Sequence, residues 1–363
     1  MPKHNAANTR IKREYFAYLK EAKRRDEASI DAVAKALSRF EEATGHKDFK
    51  MFRKEQAVAF KRKLDAAVNK RTGKPLSRAT VHGTLSALRA FFEWLAGQPG
   101  YKSRLRYSDA DYFNLSEKEV RIATATRVKP FPSLEQIHHV LSTMLTGTAI
   151  ELRNRALIAF AILTGARDGA LASFKLKHVD LAQGRVDQDA RDVRTKASKT
   201  FSTWFFPVGG DALTIVTDWC AFLRTTSLWG DDDPLFPATQ IGLGETGGFQ
   251  PAGLRRDGWQ SAGPIRAIFR DAFAAAGLPY FNPHSFRDTL VQLGEQRCTT
   301  PEQFKAWSQN LGHERVMTTL TSYGNVAAHR QAALIRGMGE AKPVAADDAA
   351  LVARVMAAIK YVN

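Results

Sequence analysis

The strongest constraint on the fold is the spacing of apolar residues after Ser77. They recur at alternating intervals of four and three residues, at Val81, Leu85, Leu88, Phe92 and Leu95. Residues three and four positions apart share one face of an α-helix, so this stretch predicts a helix with a buried face that Ser77 caps. Residues 27–44, which end before Gly45, and residues 54–69 repeat the pattern. Together they predict a small all-α domain over residues 27–117.

The first 26 residues are basic, and residues 9–25 have helical spacing with Tyr15, Phe16 and Leu19 on one side. We interpret residues 1–26 as an N-terminal helix or arm. It could contact DNA or a neighbouring subunit, and a frayed, solvated helix explains the pattern equally well.

The net charge of +16 is concentrated in the N-terminal third. Residues 1–129 carry 29 Lys and Arg against 15 Asp and Glu, a net of +14, whereas residues 130–363 carry 24 against 22, a net of +2. Such asymmetry favours nucleic-acid binding, with a merely solvated basic surface as the alternative. The candidate DNA-binding residues lie on the outer face of the 54–69 helix and at the start of the next helix: Lys61, Arg62, Arg78, Thr80 and His82. They could instead contact only phosphates or solvent.

Cysteine content and hydropathy exclude several classes of protein. Cys220 and Cys298 are the only cysteines, so the chain has neither a disulfide framework nor a Cys-x-x-Cys metal motif. The N-terminus lacks the apolar core of a signal peptide, and no run of about twenty apolar residues predicts a membrane span. The three aspartates at 231–233 cannot all face one ion from regular structure, so we expect no metal there. We therefore expect a soluble cytoplasmic protein without a cofactor.

The rest of the chain predicts a second, mixed domain. Residues 118–132 are polar and basic, contain proline, and are interpreted as an interdomain linker. Ser133-Leu-Glu-Gln136 is a capping box that begins a domain over residues 133–340. Helical patterns dominate it, residues 178–207 are rich in β-formers, and the Gly-rich residues 240–262 predict a mobile surface loop.

A tail follows over residues 341–363. Its end has an apolar stripe at Leu351, Val355 and Ile359, which predicts a helix that must bury this stripe. It could pack on its own domain or on a neighbouring subunit.

The residues with the clearest chemistry lie between His284 and Tyr323. His284 and Arg287 are three positions apart and can reach one phosphate from a single helix face. His313 follows a Leu-Gly pair, and Tyr323 is the only tyrosine between Tyr280 and Tyr361. A tyrosine hydroxyl among cationic and imidazole donors is a plausible nucleophile toward a phosphodiester.

Six residues in this order resemble the signature of the tyrosine recombinases of the phage-integrase type. They are Arg167 in LTGARDGAL, Lys199 in ASKTFSTWFFP, His284 and Arg287 in HSFR, His313 in LGHE, and Tyr323 in TSYG. The resemblance covers the C-terminal two-thirds in detail, whereas the N-terminal third matches only in helical character and charge.

The resemblance implies a mainly α fold with a small β-sheet. An all-α core-binding domain and an α+β catalytic domain would form a C-shaped clamp on DNA. The implied activity is site-specific recombination. DNA strands would be cut and rejoined without hydrolysis, through a 3′-phosphotyrosyl intermediate, and this would integrate or excise a mobile element. The implied partners are double-stranded attachment sites and other copies of the chain in a tetramer, and an accessory directionality factor could take part. The implied protein is bacterial or phage-encoded and associates with the nucleoid in the cytoplasm.

The resemblance also implies a role for each residue. Arg167 and Arg287 would clamp the phosphate, and His284 and His313 would donate to its oxygens. His284 could also accept the proton of Tyr323. A hairpin lysine would protonate the leaving 5′ oxygen: Lys199 lies eight residues before Pro207, as the family pattern favours, and Lys196 is the alternative. Both lysines could instead contact only phosphates.

Two positions depart from the family pattern, which often has Glu three residues after the first arginine and nine residues between the last histidine and the tyrosine. Ala170 occupies the former position, so another acid would have to steady Arg167, and His313 and Tyr323 are ten apart. An arginine at the end of a buried helix could instead be structural and pair with a carboxylate, for which Asp168 is the candidate. A type IB topoisomerase or a telomere-resolving enzyme would use the same chemistry, and a DNA-binding architectural protein with a decayed site is a further alternative.

Overall fold

A computed structural model describes residues 4–69, 72–125, 129–195, 198–244 and 247–313. Tyr323, Lys196 and the tail at 341–363 lie outside these ranges. The described residues fall into two compact units, with the boundary between Ala125 and Thr126. This boundary lies within residues 118–132, where the composition predicts a linker.

The elements longer than an isolated bridge in the described part of the N-terminal unit are all helices. Its α-helices are α1 (Ala6–Ala17), α2 (Glu27–Thr44), α3 (Lys54–Asp65), α4 (Arg78–Ala96) and α5 (Glu117–Thr124). A π-helical turn extends α1 over Tyr18–Ala22, and 3-10 turns span Phe49–Met51 and Tyr107–Phe113.

The predicted helix after Ser77 is confirmed as α4. The Ser77 hydroxyl accepts a hydrogen bond from the Thr80 amide at 3.1 Å, and all five residues of the stripe are buried. Around α4 lies an aromatic core in which Phe92 contacts Phe40, Phe52 and Phe113, with ring centroids 4.3–5.5 Å apart. Such a cluster buries much apolar area for a small unit and fixes the helices around α4.

Helix α1 belongs to this core, and the expectation that residues 1–26 form a separate arm is not met over residues 4–26. Ile11, Tyr15 and Leu19 are buried in the same cluster as α4. Asn8 is also buried, and its side-chain amide donates to Glu41 Oε1 at 3.2 Å and to the Lys47 carbonyl at 3.0 Å. These bonds compensate the buried polar side chain and attach α1 to α2.

Within residues 118–132, the described part before the boundary is helical. Helix α5 begins at a capping box in which the Ser116 hydroxyl accepts from the Glu119 amide and the Glu119 carboxylate accepts from the Ser116 amide. The polar composition of residues 118–124 therefore reflects an exposed amphipathic helix.

The C-terminal unit surrounds one buried helix. Its α-helices are α6 (Leu134–Thr143), α7 (Ala149–Thr164), α8 (Asp168–Leu171), α9 (Ala212–Thr225), α10 (Gly263–Ala275), α11 (Ser285–Arg297) and α12 (Pro301–Asn310). Every residue of α7 from Ala156 to Thr164 is buried, and α9 and α11 pack along it. The predicted capping box at Ser133 and Gln136 is confirmed at the start of α6.

Two antiparallel sheets complete this unit. The first has the order β1 (Val179–Asp180), β2 (Arg185–Gln188), β3 (Phe201–Trp204), with Val186 opposite Val179 and Thr203. The mainly α fold with a small sheet, as predicted, is therefore confirmed.

The second sheet corrects an expectation. The sequence predicts a loop over residues 240–262, but nearly all of a hairpin lies there, formed by β4 (Thr239–Leu243) and β5 (Phe249–Leu254). Glycine and proline obscure its alternation, and a bulge between Gln240 and Ile241 shifts its register.

The three aspartates at 231–233 form ion pairs. Asp231 pairs with Arg224 at 2.8 Å, Asp232 with Lys177 at 2.9 Å, and Asp233 with Arg256 at 2.6 Å. Among the described residues, no three His, Cys, Asp or Glu side chains are grouped to hold a metal ion. Within the same ranges, no helix has the length and apolar character needed to cross a membrane.

Candidate active site and nucleic-acid interface

The turn after α7 brings three chain segments together. Gly165 ends α7 in the left-handed region, with φ of 60°. A Cβ atom there would lie 3.0 Å from the side chains of Leu290 and Leu311, so only glycine fits without displacing them. The chain then reaches Arg167, which is half-buried at the first position before α8. This turn places Arg167 near α11 and near residues 311–313, which follow α12.

Arg287 is the most deeply buried charge of the site, with 2% exposure. Its Nη1 donates to the Gly165 carbonyl at 2.6 Å, and its Nη2 donates to the Leu311 carbonyl at 2.5 Å. Nη2 also lies 2.9 Å from His313 Nε2. Because these acceptors are neutral, they orient the guanidinium without cancelling its charge.

His313 follows a tight turn that packs against β3. Gly312 has φ of 72°, and a Cβ atom there would lie 2.6 Å from the Phe201 ring. His313 is 6% exposed. Because arginine can only donate, His313 Nε2 must accept from Arg287, which leaves the ring proton on Nδ1 of the neutral histidine.

Burial lowers the pKa of His313 to about 4, and the charges of Arg287, Arg167, His284 and Lys199 lower it in the same direction. The imidazole is therefore neutral at pH 7. The effect of Lys199 on this pKa also places the lysine charge near His313.

His284 lies at the start of α11, one helical turn before Arg287. Burial and then the charges of Arg287, Arg167 and Lys129 lower its pKa to about 4. The residue is nevertheless exposed, so solvent or a ligand can reach part of it. A bound phosphate would offset the cationic charges and raise the pKa of His284.

Lys199 is half-buried in the connection between β2 and β3, two residues before β3 begins. The end of α12 holds that strand in place. Asn310 Oδ1 accepts from the Trp204 amide at 2.8 Å, and the Asn310 carbonyl accepts from the Thr203 hydroxyl at 3.0 Å. The same helix leads into Gly312 and His313, so β3 and the histidine turn are fixed to each other.

Five of the six residues of the predicted signature thus converge in the C-terminal unit. They are Arg167, Lys199, His284, Arg287 and His313. The sixth, Tyr323, lies outside the described residues, as does Lys196. The described site is cationic, which suits an anionic substrate.

The two positions near Arg167 in the sequence, Asp168 and Ala170, have defined surroundings. The carboxylate of Asp168 accepts two hydrogen bonds from Arg266, at 2.8 and 2.5 Å, so this acid pairs with another arginine. Ala170, where the family often has Glu, is buried in the hydrophobic core. Alanine fills this position without a polar group that would need a buried partner.

Two residues near the site were not singled out from sequence as site residues. The segment that enters the C-terminal unit is tied to α11, since the Thr289 hydroxyl donates to the Pro132 carbonyl at 2.6 Å. Lys129, in this segment, lowers the pKa of His284 and also acts on Asp288, whose pKa burial raises. Asp288 directly follows the His-x-x-Arg motif, which is the only sequence signal for it.

The candidate DNA-binding residues lie within the N-terminal unit. The Lys61 ammonium donates to the Asn114 carbonyl at 3.0 Å, and Arg78 forms an exposed ion pair with Asp65 at 2.6 Å. The Thr80 hydroxyl lies 2.8 Å from the Ser77 hydroxyl. Arg62 is exposed and His82 is half-buried. Exposed pairs of this kind contribute little to stability, so Arg78 could exchange Asp65 for a phosphate.

Acidification should destabilise the C-terminal unit through its two site histidines. Their pKa values lie near 4 in the folded chain and near 6.5 in the unfolded chain, so the unfolded state binds more protons between these values. Their contribution to stability is complete above pH 6.5 and is lost as the pH falls toward 4. Urea unfolding at pH 7 and pH 5 measures the loss, and His313→Asn should reduce it. If the NMR resonance of His313 titrates near pH 6.5 in the folded chain, the lowered pKa of this residue is contradicted.

Comparison with known proteins supports the resemblance. Residues 13–98 match the family model of the phage integrase N-terminal SAM-like domain. A search of the curated proteins finds no match.

Three solved structures show the fold. The XerH site-specific recombinase on palindromic difH substrate has a TM-score of 0.58 at 16% identity, covering 89% of this chain and 84% of that one. A lambda integrase dimer on a COC' core site has a TM-score of 0.57 at 14% sequence identity, and the match covers 87% of this chain and 95% of that one. The Tn1549 transposon integrase with transposon right end DNA has a TM-score of 0.52 at 14% sequence identity, and the match covers 91% of this chain and 99% of that one. Residues 13–98 thus match the phage-integrase N-terminal domain family, and the chain has the tyrosine-recombinase fold.

Proposed function

We propose that this chain is a site-specific DNA recombinase that cuts and rejoins strands through a 3′-phosphotyrosyl intermediate. One observation carries the proposal: a buried, carbonyl-oriented Arg287 lies 2.9 Å from His313, beside Arg167, His284 and Lys199, in a chain with the tyrosine-recombinase fold. Fixed cations around one point suit a phosphodiester, whose negative charge grows during attack.

In the proposed reaction, the Tyr323 hydroxyl attacks the phosphorus and the bond to the 5′ oxygen breaks. His284 is neutral at pH 7, so it can accept the tyrosine proton. Arg167 and Arg287 stabilise the non-bridging oxygens of the phosphate. The Nδ1–H group of His313 can donate a hydrogen bond to one of these oxygens. Lys199 protonates the leaving oxygen. The products are a 3′-phosphotyrosyl bond and a free 5′ hydroxyl, and attack by a second 5′ hydroxyl reverses the step without hydrolysis.

The cellular role that we propose is integration or excision of a mobile element. Double-stranded attachment sites would be the substrates, and four copies of the chain would assemble on two duplexes. One structure of similar fold is a lambda integrase tetramer bound to a Holliday junction, at a TM-score of 0.55. The proposed role also defines the substrate for experiments. It is the DNA sequence at the junction between the mobile element, which would carry the gene for this chain, and the host DNA.

Lys199→Ala should slow cleavage of an ordinary phosphodiester, because the 5′ oxygen then leaves without a proton. A substrate with a 5′-bridging sulfur should restore the rate, since a thiolate leaves without protonation. Adduct formation on nicked duplexes with oxygen or sulfur at that position measures the effect. Lys196→Ala is the matched control, and a sulfur rescue confined to that variant would assign the role to Lys196.

The basic N-terminal unit should supply most of the salt-dependent affinity. Lys61→Gln with Arg62→Gln removes two cations, so the slope of log affinity against log salt should become shallower by about 1–2, at ~0.9 per lost phosphate contact. Fluorescence anisotropy between low and moderate salt measures this slope. Arg224→Gln, which removes an exposed, ion-paired arginine of the C-terminal unit, is the control. Equal slopes for the double variant and the unchanged chain would remove these two residues from the interface.

A further inference from the structure

The connection between β2 and β3 contains both candidate general acids, Lys196 and Lys199. The structure describes residues 189–195 and 198–200 of it. Lys199 lies five positions after Arg194 and two before β3, so β3 fixes the chain on one side of the lysine. The contacts of the other side therefore help to determine where the lysine ammonium can reach.

Arg194 ties this connection to two other segments of the C-terminal unit. Its Nη2 donates to the Ala172 carbonyl, directly after α8, at 3.0 Å. The same Nη2 donates to the Trp259 carbonyl at 2.5 Å, and Nη1 donates to the Gln260 carbonyl at 2.8 Å. Because all three acceptors belong to the main chain, the planar guanidinium fixes one backbone segment against another.

The backbone of Arg194 also lies against α8. Its amide donates to the Ser173 hydroxyl at 2.8 Å, and this hydroxyl donates to the Gly169 carbonyl at 3.1 Å. A Cβ atom at Gly169 would lie 3.4 Å from the Arg194 carbonyl oxygen. Helix α8 begins directly after Arg167. Arg194 thus joins the connection that contains the lysines to the helix that follows the first arginine of the site.

The two joined segments differ in their other anchors. In α8, Ala170 and Leu171 are buried, and Asp168 pairs with Arg266 at 2.5 Å. Among the described residues of the connection, only Val193 is buried. Loss of the guanidinium should therefore loosen the connection and leave α8 in place.

A displacement at Arg194 would reach the lysine, because the two arms of the connection are bonded to each other. The Thr200 hydroxyl, directly after Lys199, accepts from the Ala190 amide at 3.1 Å. The charge of Lys199 acts on His313, whose pKa it helps to lower, so the lysine lies near the other cations of the site. The position of this charge relative to the phosphate thus depends on the arm that Arg194 holds.

We propose that Arg194 is a positioning residue for the general acid. Its three carbonyl hydrogen bonds hold the β2–β3 connection against α8, so that the lysine reaches the leaving 5′ oxygen while Arg167 binds the phosphate. The inference rests on the proposed function, since it concerns the proton that this oxygen receives. It applies to Lys199 and to Lys196 alike, because both follow Arg194 within the connection.

Arg194→Ala should slow cleavage at a 5′ oxygen by about 10- to 100-fold, because a misplaced general acid loses most of its contribution. On the 5′-bridging sulfur substrate, the variant should cleave within about threefold of the unchanged chain, since a thiolate leaves without a proton. Single-turnover adduct formation on nicked duplexes, at saturating protein, measures both rates. An equal loss on the two substrates would overturn the proposal, because a structural defect slows both.

The matched control is Arg191→Ala. Arg191 is an exposed arginine of the same connection, and its ion pair, with Asp189, stays within the connection. It should cleave both substrates normally. Arg194→Lys keeps the charge without the planar fork, so it should slow only the oxygen substrate and by less than the alanine variant. Ser173→Ala removes the acceptor of the Arg194 amide and should have the same selective effect.

Thermal unfolding of each variant is compared with that of the unchanged chain. If Arg194→Ala does not fold, Arg194→Lys and Ser173→Ala provide the test, and normal oxygen cleavage by both would refute the positioning role. Weakened DNA binding with a normal rate at saturating protein would make Arg194 a DNA contact, which also refutes it.

A double variant shows whether Arg194 acts through the lysine. Arg194→Ala is added to the lysine variant that sulfur restores, and oxygen cleavage should then fall by less than about threefold further, since both changes affect one proton transfer. A loss that multiplies would contradict the proposal. If sulfur restores neither lysine variant, the proposed general acid fails together with this inference. If sulfur restores a lysine variant but not Arg194→Ala, only the inference fails.

Discussion

Replacing Arg287 with alanine is expected to slow strand cleavage by about 10²–10³-fold, the usual cost of one preorganised donor, ~3 kcal/mol. The guanidinium is buried, fixed by the Gly165 and Leu311 carbonyls, and adjacent to His313. Its loss removes a phosphate donor and leaves two buried carbonyls without this partner. Single-turnover adduct formation on a nicked duplex measures the rate.

Arg287→Lys is the matched control for charge. It keeps the cation but loses the planar fork that reaches both carbonyls and a substrate oxygen, so it should remain well below the unchanged chain. Circular dichroism and DNA binding must be retained in both variants. Cleavage by Arg287→Ala at a near-normal rate would refute the phosphate-clamp role.

Tyr323→Phe should abolish the covalent adduct and leave DNA affinity unchanged. The substitution removes only the hydroxyl oxygen, which is the proposed nucleophile, so no partial activity is expected. Denaturing gels of protein incubated with labelled nicked duplex measure the adduct. Tyr280→Phe is the control, because Tyr280 is the preceding tyrosine in the sequence and is exposed. An adduct that persists in Tyr323→Phe would reassign the nucleophile.

The helices with strong local signals were predictable from sequence. The Val81–Leu95 stripe has one period and one cap, and the structure buries it as α4. The capping box at Ser133 similarly marks the start of α6. In both cases the determinants lie within one helix, where propensity and packing agree.

Elements whose determinants are tertiary were not predictable. The sequence shows the apolar side of α1 but not where it packs, because the contacts that join it to the core, such as those of Asn8 with Glu41 and the Lys47 carbonyl, are distant in sequence. The β4–β5 hairpin has glycines and an exposed apolar face, so neither alternation nor burial marked it. Such features depend on partners distant in sequence.

The residues of the site could be identified from their order in the sequence and from the resemblance to a family. Their geometry could not be predicted in this way. Nothing in the spacing of Arg287 and His313 predicts that the buried guanidinium would donate to the imidazole and to the Gly165 carbonyl. The partner of Asp168 was also missed, because Arg266 lies 98 positions away. Long-range contacts of this kind follow from the packing of α7, α8, α10 and α11 rather than from local pattern.

The most direct test of the proposed chemistry is the identity of the residue that becomes joined to DNA. Wild-type chain is trapped on a nicked duplex, digested with trypsin, and the nucleotide-bearing peptide is sequenced by mass spectrometry. The expected peptide spans residues 316–330, with Tyr323 as its only tyrosine, joined to a 3′ phosphate while the released strand has a free 5′ hydroxyl. Linkage at another residue, linkage to a 5′ phosphate, or hydrolysed ends without an adduct would contradict the proposed recombinase mechanism.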